Sequence, residues 1–342
     1  VRATEIVLPG VGEPDVLQVR VRDLPAPTAG QALVRVEASG VSFAEQQMRR
    51  DGYLGRPAFP FVPGHDLVGV VEALGAEASA DDRLQVGRQV AALTRTGAWA
   101  DRVLLDAADL VPLPDGVEPA EAETLVADGV TAWRLLHRAA KVRRGQVIVV
   151  LGANGGVGST LVQLARHAGI QVIGTASARH HDAVRRLGAV PIDHRDDVLA
   201  KVLELAPEGV AAVFDHVGGP GIVDSWRMLA RGGSLVCYGT AATSDAPGDP
   251  RLPVLRLLAR LTVWNLLPNG RLAMFFDLWA GKGRRPERYR AELREDLGQV
   301  FAMLAKGEIT AQVAATFPLA EAADALRHAE SGDITGKVVL VP

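Results

Sequence analysis

Short runs in which apolar and polar residues alternate, such as Ala32-Leu33-Val34-Arg35-Val36-Glu37-Ala38 and Leu67-Val68-Gly69-Val70-Val71-Glu72-Ala73, recur early in the chain between Pro and Gly clusters. Alternation with a period of two puts successive side chains on opposite faces of a strand, so this region reads as a compact all-β unit. After about Glu123 the pattern changes. Apolar strands now alternate with helical segments, as a parallel sheet covered on both faces by helices requires. The expected strands are 146–151, 171–175, 211–215 and 234–238; the expected helices are 158–168, 181–187, 198–205 and 222–229, with Gly232-Gly233 stopping the last. Residues 243–249 read as loop, 293–305 as helix, and the tail from Ile309 returns to strand-like runs ending in Lys337-Val338-Val339-Leu340-Val341. These patterns draw one domain over 1–124, completed by 291–342, and an α/β domain over 125–290.

Composition narrows the function classes. A chain of 342 residues with 48% hydrophobic content buries a sizeable core, which excludes a disordered or fibrous protein. Lys plus Arg (37) nearly balance Asp plus Glu (40), so no basic excess points to nucleic acid or an anionic surface. The most apolar stretch, 252–267, is interrupted by Pro253, Arg256 and Arg260 and is too short to span a bilayer. No N-terminal apolar run suggests export, and the single cysteine, Cys237, fits a reducing cytoplasm as a small buried hydrophobe.

The most informative local motif is Gly152-Ala153-Asn154-Gly155-Gly156-Val157-Gly158, between an expected buried strand and an expected helix. Glycines at this spacing permit a tight turn and close backbone approach, while the helix N-terminus offers N–H groups and a positive dipole to a pyrophosphate. Asn154, Gly155, Gly156, Val157 and Gly158 are therefore the expected dinucleotide cradle. At the end of the next strand the text is Thr175-Ala176-Ser177-Ala178-Arg179-His180-His181, with no carboxylate before Asp182. An NAD site ordinarily presents an acid there to the ribose hydroxyls. A hydroxyl at Ser177 and a guanidinium at Arg179 instead suit a 2'-phosphate, which selects NADPH. The competing reading makes Arg179 and the two histidines the solvated first turn of a helix.

The ordered set Gly40 to Glu45, Arg49 to Tyr53, Pro60 to Val71, Val86 to Val90, Gly97 to Asp101, Gly129 to Trp133, the glycine turn and Gly336 to Leu340 resembles the medium-chain dehydrogenase/reductase superfamily over nearly the whole chain. The likeness is to its zinc-free quinone oxidoreductase, zeta-crystallin-like branch. The resemblance implies a chaperonin-10-like β domain made of both chain ends, with a Rossmann doubly wound parallel sheet between them and a cleft for cofactor and substrate. In the zinc branch of the superfamily a Cys would stand near Ser42, a His at His65 and another Cys near Ala127, and only His65 remains. His65 then reads as a structural or cleft-lining residue.

Without a Lewis acid, simple alcohol oxidation loses its main electrostatic support, whereas quinones and conjugated enones need less. Hydride addition to either gives a delocalised anion that hydrogen-bond donors stabilise. The resemblance places Ser42, Gln47, Tyr53 and Thr131 around the nicotinamide end, with Tyr53 the best-matched donor. It also assigns His180, Gly239, Lys337 and again Thr131 to the cofactor, with His194 stacking near the adenosine. Ser42 stands where Asn is common in that branch, Gln47 where Tyr is frequent and Glu45 where Asp is usual. The expected substrate is a small hydrophobic quinone or enone; an enoyl thioester and a catalytically silent, crystallin-like or vesicle-associated module are the alternatives. The aromatic-rich stretch 252–280 reads as subunit contact or as a lid, with a homodimer expected.

Overall fold

The computed structural model describes residues 1–53, 55–243 and 251–342. Two compact units emerge: Val1–Val130 with Gly281–Pro342, and Thr131–Ala280. The breaks fall after 130 and 280, where the sequence pattern placed them after 124 and 290. Contacts explain the shift. The Ala127 N–H donates to Asp66 Oδ2 at 2.9 Å, and Lys282 and Arg290 both reach the Asp109 carboxylate, at 3.0 and 2.7 Å. Both junctions are thereby fastened to the β unit.

In the first unit the strands order as Val313–Pro318, Lys337–Val341, Gln31–Val41, Asp66–Leu74, Gln89–Leu93 and Val111–Pro112, with Arg102–Asp106 also pairing Gln31–Val41. The last strand of the chain runs antiparallel to Gln31–Val41, Val338 opposite Val41, so both chain ends build one sheet. The alternating runs place Ala32, Val34, Val36, Leu67, Val71 and Val90 in one core. A second core gathers Ile6, Trp99, Val338 and Leu340, where the Trp99 indole N–H donates to the Gly40 carbonyl at 2.8 Å. The tail was expected to return to strand-like runs, and between its two strands Ala322–Glu330 forms a helix that buries Ala325 and Leu326.

The second unit is a six-stranded sheet, parallel throughout. Its order in space is Ala189–Asp193, Gln171–Ala176, Val147–Val150, Val210–Asp215, Leu229–Cys237, Leu272–Phe275, which is third, second, first, fourth, fifth, sixth in chain order. This is the doubly wound arrangement, whose strand order reverses between Val147–Val150 and Val210–Asp215 and opens a crevice at the carboxyl ends of those strands. The strands 189–193 and 272–275 escaped the sequence reading because short apolar runs carry little periodicity. Residues 244–250, most of the expected loop, lie outside the described residues. The apolar stretch beyond them is the helix Arg251–Leu266 followed by the sixth strand. Leu257 and Leu261 pack on the sheet, while Leu252, Leu255, Leu258 and Val263 face outward. Among the described residues no helix is long and apolar enough to cross a membrane.

Candidate functional site

The glycine turn joins the strand Val147–Val150 to the helix Gly156–His167, at the reversal point of the sheet. The Gly152 N–H donates to Thr175 Oγ1 at 3.0 Å and the Ala153 N–H to the Thr175 carbonyl at 2.9 Å, so the second strand fixes the turn. Gly152 has φ +67° and a Cβ there would run into the His216 ring. A Cβ at Gly158 would collide with the Gly152 carbonyl oxygen and lie 2.9 Å from its carbon, whereas one at Gly155 meets nothing closer than 3.5 Å. The two glycines therefore differ: Gly158 is required by the turn's own packing, and Gly155 leaves space. The N-cap residue, Gly155, has no side chain to cap the helix. Its first N–H groups have no partner within the helix, and the dipole adds positive potential there.

Asp215 shapes the opposite wall of the crevice. Its Oδ1 accepts from the Val217 and Gly218 N–H groups, both at 2.8 Å, and its Oδ2 accepts from Ser225 Oγ at 2.8 Å. That turn presents His216, whose Nδ1 lies 3.1 Å from the Leu151 carbonyl and whose ring tilts against Tyr238 at 5.9 Å. Burial pushes the His216 imidazole down despite the Asp215 charge and the Leu151 carbonyl. A Cβ at Gly239 would approach the His216 carbonyl to 2.7 Å, so Gly239 belongs beside the turn. Sequence reasoning missed His216 and Tyr238; their signal is position alone, just beyond the fourth strand and closing the expected fifth.

At the second strand's end, Ser177 precedes a tight turn over Ala178–His180. Arg179 is exposed, while His180 is buried with its Nε2 3.3 Å from Arg179 Nε. His194 is exposed at the end of the neighbouring strand. There Asp193 is bound by Arg195 at 2.7 Å, which holds its carboxyl well below the usual range. Buried Cys237 ends the fifth strand, its thiol pushed up by burial and by the Asp215 charge.

The first unit holds a polar cluster. Ser42 caps the helix Phe43–Arg49, accepting from the Ala44 N–H at 3.2 Å, while Glu45 Oε2 accepts from the Ser42 N–H at 2.8 Å and from its hydroxyl. The other carboxylate oxygen of Glu45 lies 2.8 Å from His65 Nδ1. His65 follows Gly64, whose φ of +103° brings the chain against Trp99, where a Cβ would sit 2.6 Å from the backbone nitrogen. On its far side, His65 Nε2 lies 3.4 Å from the Tyr53 hydroxyl, with the two rings edge to face. Burial raises the Glu45 carboxyl, but the His65 charge and hydrogen bond outweigh it, and the bonds from Ser42 add to them, so the net displacement is downward. Thus Ser42 and Tyr53 are joined through Glu45 and His65. Gln47 is buried on the same helix, and its side-chain carbonyl accepts no hydrogen bond among the described residues. Thr131 is buried in the other unit, within the helix Ala127–Trp133, ahead of a π-helical turn over Arg134–Ala139.

Lys337, expected at the cofactor, is placed differently. Its ammonium is buried between Asp66 Oδ2 at 2.6 Å and Glu123 Oε1 at 3.0 Å, which engages it as the cation of a carboxylate cluster. Asp66, Glu123 and Asp128 were not singled out from the sequence, since isolated acids carry no spacing signal.

Comparison with known proteins decides the family. The family described as zinc-binding dehydrogenase matches residues 187–340, and the alcohol dehydrogenase GroES-like domain matches 28–115. The human synaptic vesicle membrane protein VAT-1 homolog is 32% identical over 345 residues, covering 98% of this chain and 86% of the relative. A mycobacterial protein solved in complex with NADPH is 31% identical with a TM-score of 0.85, covering 99% of this chain and 100% of that one. A quinone oxidoreductase of Pseudomonas syringae pv. Tomato is 30% identical, also with a TM-score of 0.85, and covers the same shares. The chain belongs to the medium-chain dehydrogenase/reductase superfamily, in its zeta-crystallin-like quinone oxidoreductase branch.

This medium-chain reductase has the expected two kinds of domain, a GroES-like β unit and a Rossmann unit. A dinucleotide fits the second: Gly155 leaves room beside an uncapped helix N-terminus, and a hydroxyl and a guanidinium follow the second strand. Zinc does not fit the donor set. The Ser42 hydroxyl is directed to Glu45, both ring nitrogens of His65 have protein neighbours, and Ala127 offers only its N–H. Among the described residues no three His, Cys, Asp or Glu side chains gather to hold a metal.

Proposed function

We propose that this protein reduces a small hydrophobic quinone, or the C=C bond of an α,β-unsaturated carbonyl, by hydride transfer from NADPH and without zinc. It is an NADPH-dependent oxidoreductase. The observation that carries the acceptor class is the pairing of a phenol, Tyr53, with a buried imidazole and carboxylate where the zinc branch would hold metal ligands. Such a donor meets the modest demand of a quinone or enone, whose charge spreads over several atoms, and not that of a bare alkoxide. NADPH supplies two electrons and a proton as hydride. The protein's part is to bind it through Asn154, Gly155, Gly156, Val157, Gly158, Ser177 and Arg179, and to orient the acceptor with Tyr53, Ser42 and Gln47.

A homodimer fits the end of the sheet at Leu272–Phe275, which among the described residues pairs with no strand but Leu229–Cys237 and exposes Leu272 and Phe275, while Asn265 bonds the Ala273 N–H and carbonyl. The VAT-1 similarity favours a second reading, a vesicle-associated module that keeps the cofactor without turnover. The deciding experiment is NADPH oxidation against a panel of quinones and enones, with and without chelator. Turnover insensitive to chelation supports the enzyme; tight NADPH binding with no turnover on any acceptor supports the module.

A further inference from the structure

We infer that His65, held by Glu45, is the positioning residue that restores the proton of Tyr53, so that Glu45, His65 and Tyr53 form one relay to the acceptor oxygen. This rests on the reading of Tyr53 as the phenol that meets the acceptor.

The geometry is that of carboxylate, imidazole and hydroxyl in series. Glu45 Oε1 to His65 Nδ1 is 2.8 Å, and His65 Nε2 to the Tyr53 hydroxyl is 3.4 Å, the kind of long contact that tightens when substrate binds. Glu45 is fixed at its other oxygen by the Ser42 N–H and hydroxyl, so the carboxylate cannot swing away from the ring. An ionised Glu45 accepts the Nδ1–H, which leaves Nε2 as the exchanging nitrogen facing the phenol. Both Glu45 and His65 are buried, so the carboxylate compensates an imidazolium that water does not reach freely. The charged groups around His65 are Glu45 and Asp128, the latter also sensing Lys337 and Asp66.

The step balances. Hydride from NADPH forms the new C–H bond at the enone β-carbon, the C=C electron pair moves to the carbonyl oxygen, and NADP⁺ remains. The Tyr53 O–H bond breaks as its proton goes to that oxygen. The Nε2–H of imidazolium then breaks and returns a proton to the phenolate, leaving neutral His65 with Nδ1–H on Glu45. One proton taken up from bulk solvent after product leaves reloads Nε2, and the enol tautomerises to the saturated ketone.

A structural pair would change stability when broken; a relay changes proton transfer. With wild-type protein, enone kcat should carry a solvent deuterium isotope effect that disappears in Tyr53→Phe. His65→Gln and Glu45→Gln should lower enone kcat about tenfold or more, within the range of general acid catalysis, while KM for NADPH stays constant. Combining Tyr53→Phe with His65→Gln should cost little more than either alone. A wild type that turns over enones without any solvent isotope effect, or folded His65→Gln and Glu45→Gln variants with unchanged kcat, overturns the relay alone. The wild-type and Tyr53→Phe measurements decide the matter even if the His65 variant does not fold. A wild type inactive toward every quinone and enone overturns the functional reading, and the relay with it.

Discussion

Lys337 Nζ lies 2.6 Å from Asp66 Oδ2, with both side chains sealed from solvent, so the first residue of the last strand is tied to the first residue of Asp66–Leu74. Burial works against the ammonium, but the charges of Asp66 and Glu123 outweigh it and hold Lys337 well above its usual value. Burial, then the Asp66 charge, push the Glu123 carboxyl well up against the opposing pull of Lys337. Removing the cation would strand the acids in a dry site. Lys337→Met should therefore cost about 3–5 kcal/mol of unfolding free energy, the usual penalty for breaking a buried pair from one side. Urea denaturation measures it, and a loss below about 1 kcal/mol would show that the acids simply protonate.

We propose that cofactor choice rests on Arg179 and Ser177. Arg179 is exposed after the second strand, and no carboxylate stands there to meet a ribose hydroxyl. Arg179→Ala should weaken NADPH by about 1.5–3 kcal/mol, the range for a hydrogen bond to a charged group, and leave NADH nearly unchanged. Titration calorimetry with both cofactors tests this; equal losses would assign the 2'-phosphate to other residues.

The two glycines of the turn should fail in different ways. A side chain at Gly158 meets the backbone of Gly152, while a Cβ at Gly155 makes only ordinary contact with the Gly152 carbonyl oxygen, at 3.5 Å. Gly158→Val should lower Tm as well as binding. Gly155→Val should keep Tm near that of the wild type and weaken NADPH more than tenfold, or about 1.4 kcal/mol. A Gly155→Val protein with full NADPH affinity would move the pyrophosphate away from this turn.

Much of the fold was legible because local and long-range demands coincide. The helices His181–Leu187 and Val198–Leu205 and the strand Lys337–Val341 fall where period and caps put them, and Gly188 ends the first of these in a left-handed conformation. The helix Pro286–Ala305 begins earlier than the expected 293; its first turns are mostly polar and show no hydrophobic period, and Arg290 holds them by ion pairs. The glycine turn was readable since backbone sterics demand glycine there. The Glu45, His65 and Tyr53 series was only partly readable: Tyr53 and His65 drew attention singly, but their meeting depends on the turn at Gly64. Lys337 was drawn to the cofactor because sequence carries no record of Asp66 and Glu123 waiting for it across the sheet.

Asp128 supplies a pH test of the same cluster. Burial, with smaller contributions from the Asp66 and Glu45 charges, outweighs Lys337 and His65 and raises its carboxyl from 3.8 to about 6. The fold thus favours the protonated acid. Below 3.8 both folded and unfolded chains carry the proton and the contribution is constant. Between 3.8 and about 6 the unfolded chain ionises first, so stability falls as pH rises; above about 6 the loss is complete. At about 1.36 kcal/mol per pKa unit the full shift would exceed 2 kcal/mol, and the partly exposed side chain reduces this to about 1–2 kcal/mol. Asp128→Asn does not ionise, so its stability relative to wild type should climb by that amount from pH 4 to pH 6 and then level off. Urea midpoints across this window measure the difference. A wild-type minus variant difference that stays flat with pH would mean that the Asp128 carboxyl titrates in the folded protein as it does in the unfolded chain.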